Sequence, residues 1–220
     1  MRRNLPGVVH GKSQKNSGGG SLTREQFLLR EIRIVAALRL QGLTDAEIIA
    51  RAVEENLFQY PSATNLRRIA RTCLCRLDAL EAGVPGVAEK LTCLVASGLP
   101  EQASQANMYA LMLTYPMVGK FMTEVVAERL QQGEAELTRQ DINAFFTRLQ
   151  VEDAKAAAWT EATEKRIKST LTNCLVQAGY LEKRTSTKLQ CPLLSEEVKE
   201  CIIANGDVRL LPAFGESGVC

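Results

Sequence analysis

Histidine is almost absent from this sequence: His10 is the only one in 220 residues, and it lies in a glycine-rich N-terminal segment. The chain therefore has no histidine well placed to act as a catalytic base or a metal ligand. A phosphate-binding loop is also missing, because the glycines at residues 18–20 have neither the lysine nor the preceding strand that such a loop needs. The sequence thus predicts a non-enzymatic protein that uses no cofactor or metal.

Long apolar runs and a disulfide-type cysteine spacing are missing as well. Arg33 and Arg39 interrupt the apolar stretch near residue 35, so no segment reaches the roughly 18 apolar residues that span a membrane. No apolar segment follows Arg2 and Arg3, so a secretory signal is not supported. The seven cysteines are odd in number and match no disulfide framework or zinc-site spacing. These features favour a soluble protein of the reducing cytoplasm.

Charge is nearly balanced at +2 but unevenly distributed. Residues 1–30 carry six basic side chains and one acidic one, a net charge of +5. Residues 81–136 carry three basic side chains and seven glutamates, a net charge of −4. Within the first of these segments, residues 1–21 combine basic side chains with glycine and serine, which predicts a flexible basic arm.

Helical periodicity organises residues 22–132, which we interpret as an N-terminal helical domain. Thr44 and Glu47 have the spacing of a capping box at the start of a helix. A later helix, residues 66–80, has one apolar stripe, and the opposite face carries Arg67, Arg68 and Arg71. A helix, a turn and an arginine-bearing helix resemble a helix-turn-helix that presents its second helix to DNA. Solvated arginines on an exposed face are the alternative, and on this feature alone the better one.

Residues 133–204 have the pattern of a winged helix. Thr138 can cap one helix, and Thr160 or Thr163 can cap a second helix that Gly179 ends. Two short strands around a turn at residues 183–188 would then form the wing. The fold class predicted for the chain is therefore mainly α, with a helical N-terminal domain and a C-terminal winged helix with a short β-hairpin. Residues 205–220 are predicted to be a loosely attached tail.

The second helix and the wing of this module carry six basic side chains against three glutamates between residues 160 and 190. Such side chains neutralise phosphates and favour double-stranded DNA binding that depends on salt more than on sequence. Thr172 and Asn173, with Ser169, are the polar candidates for base contacts. The basic candidates in this module are Lys165, Arg166, Lys168, Lys183, Arg184 and Lys188. Arg67, Arg68 and Arg71 form a second predicted contact.

An ordered set of segments across residues 20–204 resembles the BrxA family, the small subunit of BREX bacteriophage-exclusion systems. The segments are Gly20-Ser21-Leu22, Glu55-Asn56-Leu57, Asn65-Leu66-Arg67-Arg68 through Arg76-Leu77, Phe121 with Glu124-Val125, Thr163-Glu164-Lys165-Arg166, and Ala178-Gly179-Tyr180-Leu181. The resemblance implies a cytoplasmic, mostly helical, non-enzymatic protein that binds double-stranded DNA. It also implies partners, namely a methyltransferase and other larger subunits of a phage-defence system.

Two alternatives remain at this stage. The chain could be a scaffold that bridges other subunits through its Met- and Tyr-rich middle or its N-terminal helices. It could also bind structured RNA, although aromatic residues make up only 5% of the sequence, which argues against stacking on single strands.

Overall fold

The computed structural model describes residue 22 and residues 26–84, 86–133 and 136–216. These residues are mainly helical, as the periodicity predicts. Their α-helices are α1 (Leu29–Leu40), α2 (Asp45–Glu54), α3 (Ala63–Glu81), α4 (Val87–Ser97), α5 (Pro100–Thr114), α6 (Pro116–Phe121), α7 (Ala127–Gln131), α8 (Arg139–Glu152), α9 (Ala154–Ala157), α10 (Glu161–Gln177) and α11 (Glu196–Ala204). A π-helical segment, Met122–Val126, joins α6 to α7, and a 3-10 helix, Val208–Phe214, follows α11. The predicted arm, residues 1–21, lies outside the described residues.

Two predicted helix caps are confirmed. At the start of α2 the Thr44 amide donates to the Glu47 carboxylate at 2.7 Å, and the Glu47 amide donates to Thr44 Oγ at 3.4 Å. At the start of α8 the Thr138 amide donates to Asp141 Oδ2 at 2.8 Å, and the Asp141 amide returns a bond to Thr138 Oγ at 3.2 Å. Both carboxylates therefore satisfy backbone amides that the first helical turn leaves without a partner.

The predicted apolar stripe of α3 is confirmed as a core face that packs against α1, α2 and α5. The Met- and Tyr-rich middle is also core. Its buried members are Met108, Tyr109, Met112, Tyr115, Met117 and Met122. One continuous cluster of buried side chains extends from Leu22 to Phe214, so the α8–α10 region packs onto the same core as the N-terminal helices.

A buried arginine joins the segment before α1 to this core. Arg76 on α3 is fully buried, and its guanidinium donates to the carbonyl oxygens of Phe27 at 2.6 Å and of Gln26 at 2.5 Å. Asn107 on α5 donates to the same Phe27 oxygen at 2.7 Å. The two bonds from Arg76 are charge-assisted, and together with the Asn107 bond they fasten the segment before α1 to α3 and α5.

Residues 206–216 differ from the predicted loose tail, and residues 217–220 of that prediction lie outside the described residues. Their 3-10 helix, Val208–Phe214, packs into the core through Leu210, Leu211, Ala213 and Phe214. Tyr109 on α5 donates to the Asp207 carboxylate at 2.7 Å and so fixes the start of this segment. Asn205 and Gly206 do end α11, but the apolar residues that follow are buried by tertiary contacts, which helical periodicity does not reveal.

The predicted β-hairpin does not form as two regular strands within the described residues. Residues 183–188, the predicted turn, hold only basic and hydroxyl side chains, and Tyr180 and Leu181 are the only apolar residues between Gly179 and that turn, which is too short for a regular strand. The returning segment keeps one ladder-type bond, from the Gln190 amide to the Tyr180 carbonyl at 2.8 Å. Pro192 has no amide hydrogen to extend this pairing. The wing is therefore an irregular loop, which we call the 182–188 loop.

The 182–188 loop is held instead by the segment before α8. Lys188 and Glu136 form an isolated antiparallel bridge, and the Leu137 amide donates to the Thr187 carbonyl at 2.7 Å. Leu137 and Leu189 are both buried beside this pairing. The loop thus has a fixed base although it contains no regular strand.

Candidate nucleic-acid interface

The ends of α10 are set by two local signals. Thr160 Oγ accepts the Thr163 amide at 3.2 Å and caps the first turn, which selects Thr160 from the two predicted candidates. Gly179 has φ +83°, and the Tyr180 amide reaches back to the Leu175 carbonyl at 2.9 Å. This is the Schellman arrangement that the predicted helix stop at Gly179 requires. The helix therefore runs for 17 residues from the cap to the chain reversal.

The exposed face of α10 is basic. Its buried face is formed by Ile167, Leu171, Cys174 and Leu175, as predicted. Lys165 and Arg166 are exposed on the opposite side, and Ser169 lies opposite the centre of the buried set. No acidic residue lies between Glu164 and Glu182 in the sequence. Glu161, exposed in the first turn, lies one helical turn before Lys165, so the stretch of this face without carboxylates begins after Glu164.

Lys168 is placed differently from its two neighbours. Its ammonium donates to Asn143 Oδ1 on α8 at 2.8 Å, forms an ion pair with Glu164, and lies 5.1 Å from the centre of the Phe146 ring. The side chain is 23% exposed. The Lys168 hydrogen bond comes first among the causes that lower the pKa of Glu164. Lys168 thus joins α10 to α8 rather than extending into solvent.

The polar candidates on α10 also separate by their contacts. The Thr172 hydroxyl donates to the Lys168 carbonyl of its own helix at 2.9 Å, so its hydrogen is already used. Ser169 Oγ accepts a bond from Arg184 at 2.6 Å. Asn173 is half-buried.

The 182–188 loop lies against the exposed face of α10. Arg184 makes the connecting contact through its Nη2 atom to Ser169, across 15 positions of the sequence. A turn inside the loop is closed by the Ser186 amide, which donates to the Lys183 carbonyl at 2.9 Å. Lys183, Arg184 and Lys188 are exposed. The structure therefore brings Arg184 onto the same surface as Lys165 and Arg166.

The second predicted surface lies on α3. Arg67 and Arg71 are exposed, and Arg68 is half-buried. Tyr60, in the segment between α2 and α3, donates to the buried Glu31 at 3.3 Å. Burial first, and then the Glu31 charge, raise the pKa of Tyr60, while the charges of Arg30 and Arg68 oppose that rise.

Arg30 was missed by the sequence reasoning, which placed it only in the basic N-terminal segment. Arg30 of α1 is exposed, and its charge acts on Tyr60, as the charge of Arg68 does. Two other arginines of α1 have internal partners. Arg39 forms ion pairs with Asp45, Asp78 and Glu81 at 2.8–3.0 Å. Arg33 donates to the Gly98 carbonyl at 3.1 Å. The available cation of α1 is therefore the one at its N-terminal end.

An open groove of about 360 Å³ lies between the C-terminal end of α10 and the N-terminal ends of α1 and α5. Its lining includes Leu29, Pro100, Gln177, Gly179 and Pro192. Leu99 and Leu193, which flank the two prolines in sequence, are 66% and 90% exposed. No helix among the described residues has the length and apolar character needed to cross a membrane.

Comparisons with known proteins give a consistent result. A protein-family model described as BrxA matches residues 19–206. The BREX protein BrxA of Bacillus cereus (strain H3081.97) is 31% identical over 182 residues, which cover 82% of this chain and 88% of the relative. The BREX protein BrxA of Escherichia coli O9:H4 (strain HS) is 25% identical over 192 residues, covering 87% of each chain.

A solved structure has the same fold. The crystal structure of an uncharacterized protein from Magnetospirillum magneticum matches with a TM-score of 0.71 at 21% identity, and covers 89% of this chain and 96% of that one. At this identity the match supports the arrangement of the helices alone.

Proposed function

The chain belongs to the BrxA family, and from that premise we propose that it is a non-enzymatic, double-stranded-DNA-binding accessory subunit of a BREX phage-defence system. It would act in the cytoplasm beside other subunits of that system. The observation that carries the DNA-binding proposal is the placement of Arg184 on the exposed face of α10, next to Lys165 and Arg166. Cations from two separate segments thereby form one surface.

In this proposal the C-terminal module, residues 133–204, acts as a winged helix whose wing is the irregular 182–188 loop. The exposed face of α10 enters the major groove, and the loop cations contact the adjacent backbone. Most contacts are made to phosphates by Lys165, Arg166, Lys183 and Lys188, so binding is largely independent of sequence. Lys168 contributes indirectly, because it holds α10 against α8.

A second contact is proposed on the N-terminal helices, where α2 and α3 act as a helix-turn-helix. Arg67 and Arg71 are exposed on α3, and the charges of Arg30 and Arg68 both act on Tyr60, which precedes that helix. These arginines supply positive charge but are not arranged to pair with the edges of bases, so we expect them to contact phosphates as well.

Charge reversal on α10 tests the proposal. Arg166→Glu should weaken binding of a duplex DNA and lower the slope of log affinity against log salt concentration by about 1 for each phosphate that the variant no longer neutralises. Arg209→Glu is the matched control, because Arg209 is also exposed but lies on the 3-10 helix. Equal affinity for wild type and the Arg166 variant at low salt would exclude α10 from the interface. Competition by a duplex RNA of the same sequence separates DNA binding from the binding of structured RNA.

A subunit-bridging scaffold is the second candidate function, and the exposed leucines beside the groove favour it. Leu99 and Leu193 expose apolar area that a protein partner could cover. Leu99→Ser with Leu193→Ser should then abolish co-purification with other BREX subunits while leaving any DNA binding intact. Co-purification with no duplex binding at low salt would favour the scaffold over the DNA-binding proposal.

A further inference from the structure

We infer that Ser169 positions Arg184 to contact guanine in the major groove, so that Arg184 reads a base and does not merely neutralise a phosphate. The inference rests on the proposed function, because it requires α10 to lie in the groove. It adds a specific contact to an interface that is otherwise largely independent of sequence.

Ser169 lies at the centre of the exposed face of α10. Ser169 lies opposite the buried set of α10, whereas Lys165 and Arg166 lie on either side of that central line. Side chains at the centre of a helix that lies in the major groove face the base edges, and those at its sides reach the phosphates. Whatever Ser169 holds therefore faces the base edges.

The contact with Ser169 holds the Arg184 guanidinium over this face. The Nη2–Oγ distance is 2.6 Å, so the guanidinium lies over the centre of the α10 face. A guanidinium has five N–H donors, and this contact uses one of the two on Nη2. The other Nη2 hydrogen and a hydrogen of a neighbouring nitrogen still form one pair of parallel donors, which matches the O6 and N7 acceptors of guanine. An arginine already held in place loses less side-chain freedom on binding.

The other polar side chains of this face are less well placed than Arg184 to contact the guanine. The Ser169 oxygen already accepts the Arg184 bond, and the Thr172 hydroxyl hydrogen goes to the backbone. Asn173 lies about 6 Å further along the axis at the usual helical rise, far enough to meet a neighbouring base pair. The predicted preference is therefore centred on one guanine.

Selection from a duplex pool with a randomised central segment tests the inference, followed by measured affinities for the selected duplex and for one with that guanine replaced. Wild type should enrich a guanine at one position and prefer it roughly 5- to 100-fold. Arg184→Lys and Ser169→Ala should both lose that preference. Ser169→Thr, which keeps the hydroxyl, and Lys183→Ala, which removes a neighbouring loop cation, should retain it.

The charge-keeping variants separate a base contact from a phosphate contact. Arg184→Lys and Ser169→Ala leave every charge in place, so the salt dependence of non-specific binding should be unchanged. The inference is overturned if wild type enriches no guanine, or if Ser169→Ala keeps the full preference. In either case, the proposed function would still be supported if wild type binds duplex DNA non-specifically and Arg166→Glu weakens that binding. Failure of wild type to bind any duplex would remove both.

Discussion

The Lys168 ammonium lies 2.8 Å from Asn143 Oδ1 and 5.1 Å from the centre of the Phe146 ring, so one cation of α10 fastens that helix to α8. The same helix presents Lys165 and Arg166 to solvent. Three cations within four positions thus divide between holding the module together and facing a ligand. Charge alone does not separate these roles, whereas their contacts do.

Lys168→Ala should lower stability while changing DNA binding less than Lys165→Ala does. Loss of the ion pair, the Asn143 bond and the contact with the Phe146 ring should cost about 1 kcal/mol of unfolding free energy, because the side chain is partly exposed. Lys165→Ala should leave stability within about 0.5 kcal/mol of wild type. Urea denaturation and a salt titration of duplex affinity measure the two effects. A larger salt-slope change in the Lys168 variant would contradict this division.

Arg76→Leu should destabilise the N-terminal helices strongly. It removes the charged donor of the Gln26 carbonyl and one of the two donors of the Phe27 carbonyl, at an expected cost of about 2 kcal/mol. Arg71→Ala, on the exposed side of the same helix, is the control and should change the unfolding free energy by less than about 0.5 kcal/mol. Chemical denaturation followed by circular dichroism compares the variants, and similar midpoints for both would refute the structural role of Arg76.

Asp141 should make stability depend on acid pH. Burial opposes ionisation of this carboxyl, but bonds from Thr138 and Arg129 outweigh it and lower its pKa below the ordinary value. The stabilisation is therefore complete above the ordinary pKa of about 4, and it is lost as pH falls from there through the depressed folded value.

Asp141→Asn keeps an oxygen for the helix cap but removes the charge. It should cost about 1 kcal/mol at pH 7, and the difference from wild type should shrink at pH 3. Urea midpoints at the two pH values measure this. Glu101→Gln, at an exposed carboxylate in the first turn of α5, is the matched control. A difference between wild type and the Asp141 variant that is equal at both pH values would exclude the charge as the source.

The 3-10 helix should contribute to global stability. Leu211 is fully buried, and Leu211→Ala should cost about 3 kcal/mol through reduced burial and the cavity left behind. Ile203→Ala, at a residue that is 43% exposed on α11, should cost clearly less. Thermal unfolding of the two variants compares them. If Leu211→Ala unfolds at the same temperature as wild type, the 3-10 helix adds nothing to the stability of the core.

Local signals predicted the parts of the fold that depend on neighbouring residues. The caps at Thr44 and Thr138 and the stop at Gly179 are decided within one helical turn, so short patterns were enough to find them. The 3-10 helix and the buried Arg76 depend on residues far away in the chain. Asp207 meets Tyr109 across 98 positions, and no periodic pattern contains that information. The predicted wing strands failed because sheet pairing depends on a partner segment, here residues 136–137.

The basic residues of the candidate interface were predicted from the sequence, and their contacts became known only from the structure. Lys165, Arg166 and Arg184 were named from charge alone, and the structure adds that Arg184 lies on Ser169. Arg30 was missed because its charge acts on Tyr60 across 30 positions of the sequence. Whether these residues bind DNA stays a prediction.

The only tryptophan of the chain has a consequence for measurement. Trp159 directly precedes the Thr160 cap of α10, is half-buried, and lies 6.1 Å from the Phe146 ring that Lys168 also contacts. Indole emission depends on the polarity around the ring. Ligand binding that shifts the start of α10 should therefore change the intrinsic fluorescence of the unlabelled protein, and the signal would come from one known place.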